Sequence, residues 1–105
     1  MDCVQVVTTT ETREEADRLA RSAVERRLAA CAQVGGPIAS TYWWREGVET
    51  ATEWQCVLKT TAARLDELRA HLETEHPYET PEIVATPIVG GSAAYLEWIA
   101  RETRS

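Results

Sequence analysis

An α+β fold of the ferredoxin-like, split βαβ kind with an added C-terminal helix is the architecture this 105-residue chain predicts, and three observations predict it. Strand-like alternation and helical spacing follow one another in the order β, α, β, β, α, β, α, which sets two helices on one face of an antiparallel sheet. Helix boundaries are written locally. Thr12-Arg13-Glu14-Glu15 is a capping box in which Thr12 and Glu15 satisfy orphan N–H groups, and the His76-Pro77 step stops a second helix because the proline ring clashes with the preceding turn. Between the helices, two apolar stretches meet at Arg45-Glu46-Gly47-Val48, which reads as a hairpin turn.

Taken in order, residues 3 to 8 alternate and are β-branched enough for a first strand. Ala16, Leu19, Ala20, Ala23, Val24 and Leu28 recur at helical spacing with charged residues on the other face, so an amphipathic helix is expected from about 13 to 30. Gly35-Gly36-Pro37 breaks or bulges the chain ahead of a strand from 38 to 44. That strand is apolar on both sides, with Ile38, Tyr42 and Trp44 on one and Ala39 and Trp43 on the other. Residues 49 to 60 return, with Trp54, Cys56 and Leu58 opposite Gln55, Val57 and Lys59. The pair exceeds the usual strand of about 5–6 residues, so part of it should project beyond its own sheet and meet another subunit. Leu65, Leu68 and Leu72 define the second helix, from about 62 to 75. A last strand from 83 to 89 contains Pro87, which suits an edge or a bulge, and Gly90-Gly91-Ser92 caps a short helix carrying Tyr95, Trp98 and Ile99.

The length bounds the chain to a single domain, 1–105, with one modest core. Its net charge of −6, with the basic residues scattered, excludes the clustered positive surface that nucleic acid or an anionic membrane would need, and makes cations the more natural small partners. No window approaches the roughly 18 apolar residues of a membrane helix, and Met1-Asp2-Cys3-Val4-Gln5 shows no basic region leading into an apolar run. A cytoplasmic chain is expected. Cys3, Cys31 and Cys56 are odd in number and widely spaced, with no CxxC pair, so they are expected to be reduced structural thiols, Cys31 at the end of the first helix.

The run His76-Pro77-Tyr78-Glu79-Thr80-Pro81-Glu82-Ile83 presents an imidazole, a phenol and two carboxylates on a stiff connector. His76 with Glu75, Glu79 or Glu82 is the candidate metal set, since Cu(II) or Zn(II) favours imidazole supported by carboxylate. With one imidazole, binding should be weak and should fail as pH drops through the His range near 6.5. The competing role for His76 is to cap the last carbonyls of the helix before it. His71 reads as a surface residue. Lys59, Tyr42, Tyr78 and Trp98 are candidates for contacting a ligand, Lys59 either ion-paired to a glutamate or contacting a small anion. The tryptophans are expected to anchor core and interface.

Five stretches together carry a family resemblance: Leu28-Ala29-Ala30-Cys31, the strand Ser40-x-Tyr42-x-Trp44, Leu58-Lys59-Thr60, the His76-Pro77 connector, and Tyr95-Leu96-x-Trp98-Ile99. In this order, over nearly the whole chain, they resemble the CutA divalent-cation tolerance family. The resemblance implies a tight homotrimer similar to the PII signalling proteins, with clefts between subunits and a link to copper and other divalent metals. Some bacterial members place a cysteine near the end of the first strand and a second histidine before the His-Pro step, both associated with copper; here those positions are Thr8 and Glu75. No nucleophile elbow, phosphate loop or HExxH is present, so no enzyme is expected. Three functions remain open at this point: a trimeric divalent-cation tolerance protein that binds Cu(II) or another divalent ion weakly, a PII-like module taking a small metabolite or partner protein in its intersubunit cleft, or a stable trimeric scaffold whose ligand is supplied by another protein.

Overall fold

The computed structural model describes residues 2–104, so positions 1 and 105 of the predicted domain lie outside the described residues. Seven elements follow the predicted order: β1 (Cys3–Thr10), α1 (Arg13–Glu25), β2 (Cys31–Trp44), β3 (Gly47–Thr61), α2 (Leu65–Glu75), β4 (Ile83–Pro87) and α3 (Ala93–Glu102). The strands form one antiparallel sheet in the order β2-β3-β1-β4. This is the split βαβ architecture with its extra helix, and Pro87 closes a strand that is indeed an edge.

Strand alternation decides what each face of the sheet carries. Val4 and Val6 on β1, with Cys56 and Leu58 on β3, pack against Ala16, Leu19 and Ala23 of α1 and Leu68 and Leu72 of α2. One residue out of phase, Cys3 packs on the other side with Ala30 and Ile99, so α3 covers one end of the opposite face. Further along that face Val7, Val57 and Val84 stand side by side by register, and Val84 is 49% exposed. Val7 and Val57 are half-buried.

The first helix starts where predicted, with Thr12 Oγ1 accepting from the Glu15 N–H at 3.2 Å and donating to its carboxylate at 3.0 Å. It stops at Glu25, five residues short of the predicted end. Arg27 takes the left-handed conformation, φ 57°, and the N–H groups of Arg27 and Leu28 turn back to the carbonyls of Val24 and Ala23. This is a Schellman ending without its usual glycine. Burial of Leu28 and a bond from Arg27 to Glu102 of α3 at 2.9 Å hold it in place. Cys31 therefore opens β2 rather than ending a helix. At the C-terminal helix the predicted cap is absent, since Ser92 occupies the N-cap position but its side chain makes no capping bond.

The second strand begins earlier than predicted, and Gly35 to Pro37 is a bulge inside it rather than a break before it. Gly36, φ 146°, is required there: a Cβ would lie 3.0 Å from the Trp54 ring and 3.2 Å from the Glu53 carbonyl. Beyond the bulge β2 and β3 pair only with each other, from Ile38↔Glu53 to Trp44↔Gly47, because β1 ends opposite Trp54. The turn is just Arg45 and Glu46; Gly47 and Val48 already belong to β3. The free part of the hairpin is an arm that stretches the molecule to 44 Å, against 25 and 21 Å in the other directions.

The cysteines are all free, Cys3 and Cys56 buried and Cys31 half-buried. Burial, with Asp17 adding to it, pushes the Cys56 thiol up to about 12. Titration with a thiol reagent should therefore find Cys56 inert in the native protein and three reactive thiols after denaturation. A native Cys56 that reacts as fast as a small free thiol would contradict this placement.

Candidate functional site

The connector after α2 is where the predicted chemistry was concentrated, and its histidine is fully committed. His76 is 8% exposed. Its Nε2 meets the Thr9 carbonyl at 2.8 Å and its Nδ1 accepts the Tyr78 N–H at 3.1 Å. A backbone N–H can only donate, so Nδ1 is the unprotonated nitrogen and Nε2–H donates to Thr9. Burial, the largest influence, pushes the ring below its usual 6.5, against the opposing pull of the Thr9 carbonyl. Protonation at Nδ1 would turn its acceptor into a donor facing another donor.

A Cu(II) or Zn(II) centre on His76, Glu75, Glu79 and Glu82 does not fit this arrangement. Neither ring nitrogen has a lone pair free for a metal. Glu75 turns away to Arg18, whose guanidinium contacts its carboxylate at 3.4 Å and its carbonyl at 2.9 Å. Glu79 and Glu82 are exposed, and among the described residues no three His, Cys, Asp or Glu side chains are grouped to hold an ion. Thr8 is wholly buried. The helix-cap role fails as well: it is the backbone N–H of His76, bonded to the Leu72 carbonyl, that ends α2. The imidazole instead ties the connector to the end of β1.

Tyr78 extends that tie. Its ring stacks obliquely on His76, centroids 4.8 Å apart, and its hydroxyl donates to Glu53 Oε2 at 2.8 Å. Burial, then the Glu53 carboxylate, push the phenol well above its usual value. Glu53 is itself 9% exposed and sits at the base of the arm, opposite Ile38. Sequence reasoning missed Glu53 and Thr9 because the partners are distant in the chain and carry no local signal. It also misread His71, whose Nε2 lies 2.7 Å from Ser22 Oγ and links α2 to α1.

The predicted ligand-contact residues fall in three places. Tyr78 belongs to the connector. Tyr42 lies on the arm with Trp43, Trp44 and Val48, at exposures of 39%, 74%, 39% and 57%. Lys59 and Trp98 meet at α3: the Lys59 ammonium is 5.9 Å from the Tyr95 ring centre and Tyr95 stacks on Trp98 at 5.5 Å. Among the described residues Lys59 has no glutamate partner; its Nζ donates to Gln33 Oε1 at 2.9 Å. Of the tryptophans, Trp54 packs against the main core with Arg13 over its ring at 5.7 Å, Trp98 packs on Cys3, Ala30 and Ile99, and Trp43 and Trp44 stand exposed on the arm.

Comparison with known proteins places these features in a family. The profile of the CutA1 divalent ion tolerance protein matches residues 4–102. Protein CutA 1, chloroplastic, of Oryza sativa subsp. japonica is 40% identical over 101 residues, 96% of this chain and 57% of that relative. The chain likewise spans 56% of the chloroplastic CutA of Arabidopsis thaliana, so it covers little over half the length of these plant relatives. The divalent-cation tolerance protein CutA of Archaeoglobus fulgidus is 41% identical over 86 residues, 82% of this chain and 83% of that protein. Among solved structures, CutA1 from Oryza sativa superposes with a TM-score of 0.95 at 38% identity, covering 99% of this chain and 95% of that one. The periplasmic divalent cation tolerance protein CutA from Archaeoglobus fulgidus superposes with a TM-score of 0.93 at 35% identity, covering 97% of this chain and 99% of that one. No described helix is long and apolar enough to cross a membrane.

Proposed function

The chain belongs to the CutA1 divalent ion tolerance family, and from that premise we propose that it serves divalent-cation tolerance as a non-catalytic homotrimer. The observation that carries this reading is the arm. A two-stranded ribbon is marginal in water by itself, and this one exposes Tyr42, Trp43, Trp44 and Val48. Burying four such side chains between subunits is worth on the order of 2 kcal/mol each. The sheet-face valines, Val84 exposed and Val7 and Val57 half-buried, add to the surface available for assembly. Three free thiols suit a reducing compartment such as the cytoplasm.

Copper enters this reading only weakly. With both nitrogens of His76 committed, divalent ions meet the chain through exposed carboxylates of an acidic surface, net charge −6, and tolerance rests on the assembled protein rather than on a metal centre within each subunit. The test is expression in a bacterial host made sensitive to Cu(II) by loss of its own family member, together with sedimentation of the purified protein. Restored growth and a mass near three times 11.7 kDa are expected. No rescue by an assembled protein removes the tolerance reading, and an 11.7 kDa species removes the trimer.

A further inference from the structure

Lys59 is the sole lysine among the eleven Lys and Arg residues of the chain. Seven of the ten arginines have a carboxylate oxygen within 3.8 Å. Lys59 has none among the described residues, and its recorded polar partner is the neutral amide oxygen of Gln33. An ammonium carries three N–H donors, so two remain beyond the bond to Gln33.

The neighbourhood keeps acids away. By register, Cys31, Lys59, Gln5 and Thr86 form one row across the four strands, on the face opposite α1 and α2. The next row is Gln33, Val57, Val7 and Val84. Neither row contains Asp or Glu, in a chain with seventeen of them. On the α3 side the Tyr95 and Trp98 rings stand together beside the ammonium. A lone cation with spare donors, amides on two flanking strands and an aromatic wall is built to receive a negative group attached to carbon.

We propose that Lys59, with Gln33 and Gln5 beside it and the Tyr95–Trp98 pair as a wall, binds a small organic oxyanion, a carboxylate or a phosphate ester. The ammonium makes a charge-assisted hydrogen bond to the oxyanion, and the carbon skeleton packs on the Tyr95 ring. The site goes beyond the tolerance reading and needs no metal; it rests on the Lys59 row staying accessible beside the Val7, Val57 and Val84 row that is offered for assembly.

Because the chain has one lysine, 13C placed at the lysine ε-carbon gives a single resonance that reports this site alone. The folded protein is titrated at constant ionic strength with succinate, with glycerol phosphate and with chloride. The expected result is a saturating shift with at least one of the two oxyanions, at a dissociation constant of about 1 mM or tighter, and none with chloride. Which of them saturates identifies the class. By calorimetry Lys59→Arg should keep the binding and Lys59→Gln should weaken it about tenfold or more. Oxyanions that shift the signal no more than chloride does overturn the proposal, as does a Lys59→Gln protein that binds like the wild type. Should that variant fail to fold, the wild-type titration decides by itself.

Discussion

Trp43→Glu is expected to leave the protein monomeric. Trp43 is 74% exposed near the tip of an arm that has no third strand, and its cross-strand partner, Val48, is 57% exposed. If subunits bury this pair, the substitution removes about 2–3 kcal/mol of apolar burial per subunit and adds a charge that has to be desolvated. A trimer repeats that penalty three times, so the loss should exceed what assembly at micromolar concentration can absorb. Sedimentation velocity would show the mass fall to 11.7 kDa, with the melting temperature falling alongside and becoming independent of protein concentration. A Trp43→Glu protein that sediments with the wild type would show that the arm is not the assembly surface.

His76→Ala is expected to destabilise the fold by about 2–4 kcal/mol and to leave Cu(II) affinity unchanged. The substitution orphans the Thr9 carbonyl and the Tyr78 N–H and opens a cavity under the connector. The pH dependence follows from the depressed pKa of the ring. The unfolded chain takes up a proton at the usual 6.5 while the folded one still resists it, so the stabilisation from His76 is complete above 6.5 and is lost as pH falls from there through the lower folded value. His71, also pushed down, first by burial and then by Arg26, contributes in the same direction. Denaturant titrations across pH 7 to 5 should therefore slope steeply in the wild type and less in His76→Ala, where His71 alone remains. Calorimetry with Cu(II) separates the two roles: a stoichiometric site lost with the imidazole would restore His76 as a ligand.

The features that could be read from the chain are those decided within a few residues. The capping box at Thr12, the stop at His76-Pro77, the alternation of β1 and the proline of an edge strand each rest on local sterics and local hydrogen bonds, and each appears where the sequence places it. The arm too was legible, as a hairpin too long for its sheet. What escaped depends on distant partners. Helical periodicity runs on through Leu28, yet the helix ends early because Arg27 accepts a left-handed backbone anchored to Glu102, seventy-five residues away. His76 looked like a ligand because the Thr9 carbonyl that takes its Nε2–H lies outside its own segment, sixty-seven residues away. A donor inventory along the chain shows which groups could bind a metal; only the fold shows that they are already in use.

The isolation of Lys59 has a chemical corollary. Arginine resists acylation under mild conditions, so in this chain a reagent or enzyme that transfers an acyl group to a side-chain amine has a single target, the Nζ that donates to Gln33. Acetylation there would erase the one positive charge on two rows of the sheet face and leave an amide in contact with amides. A covalent mark that on most proteins is spread over many sites would here report on, and silence, one place.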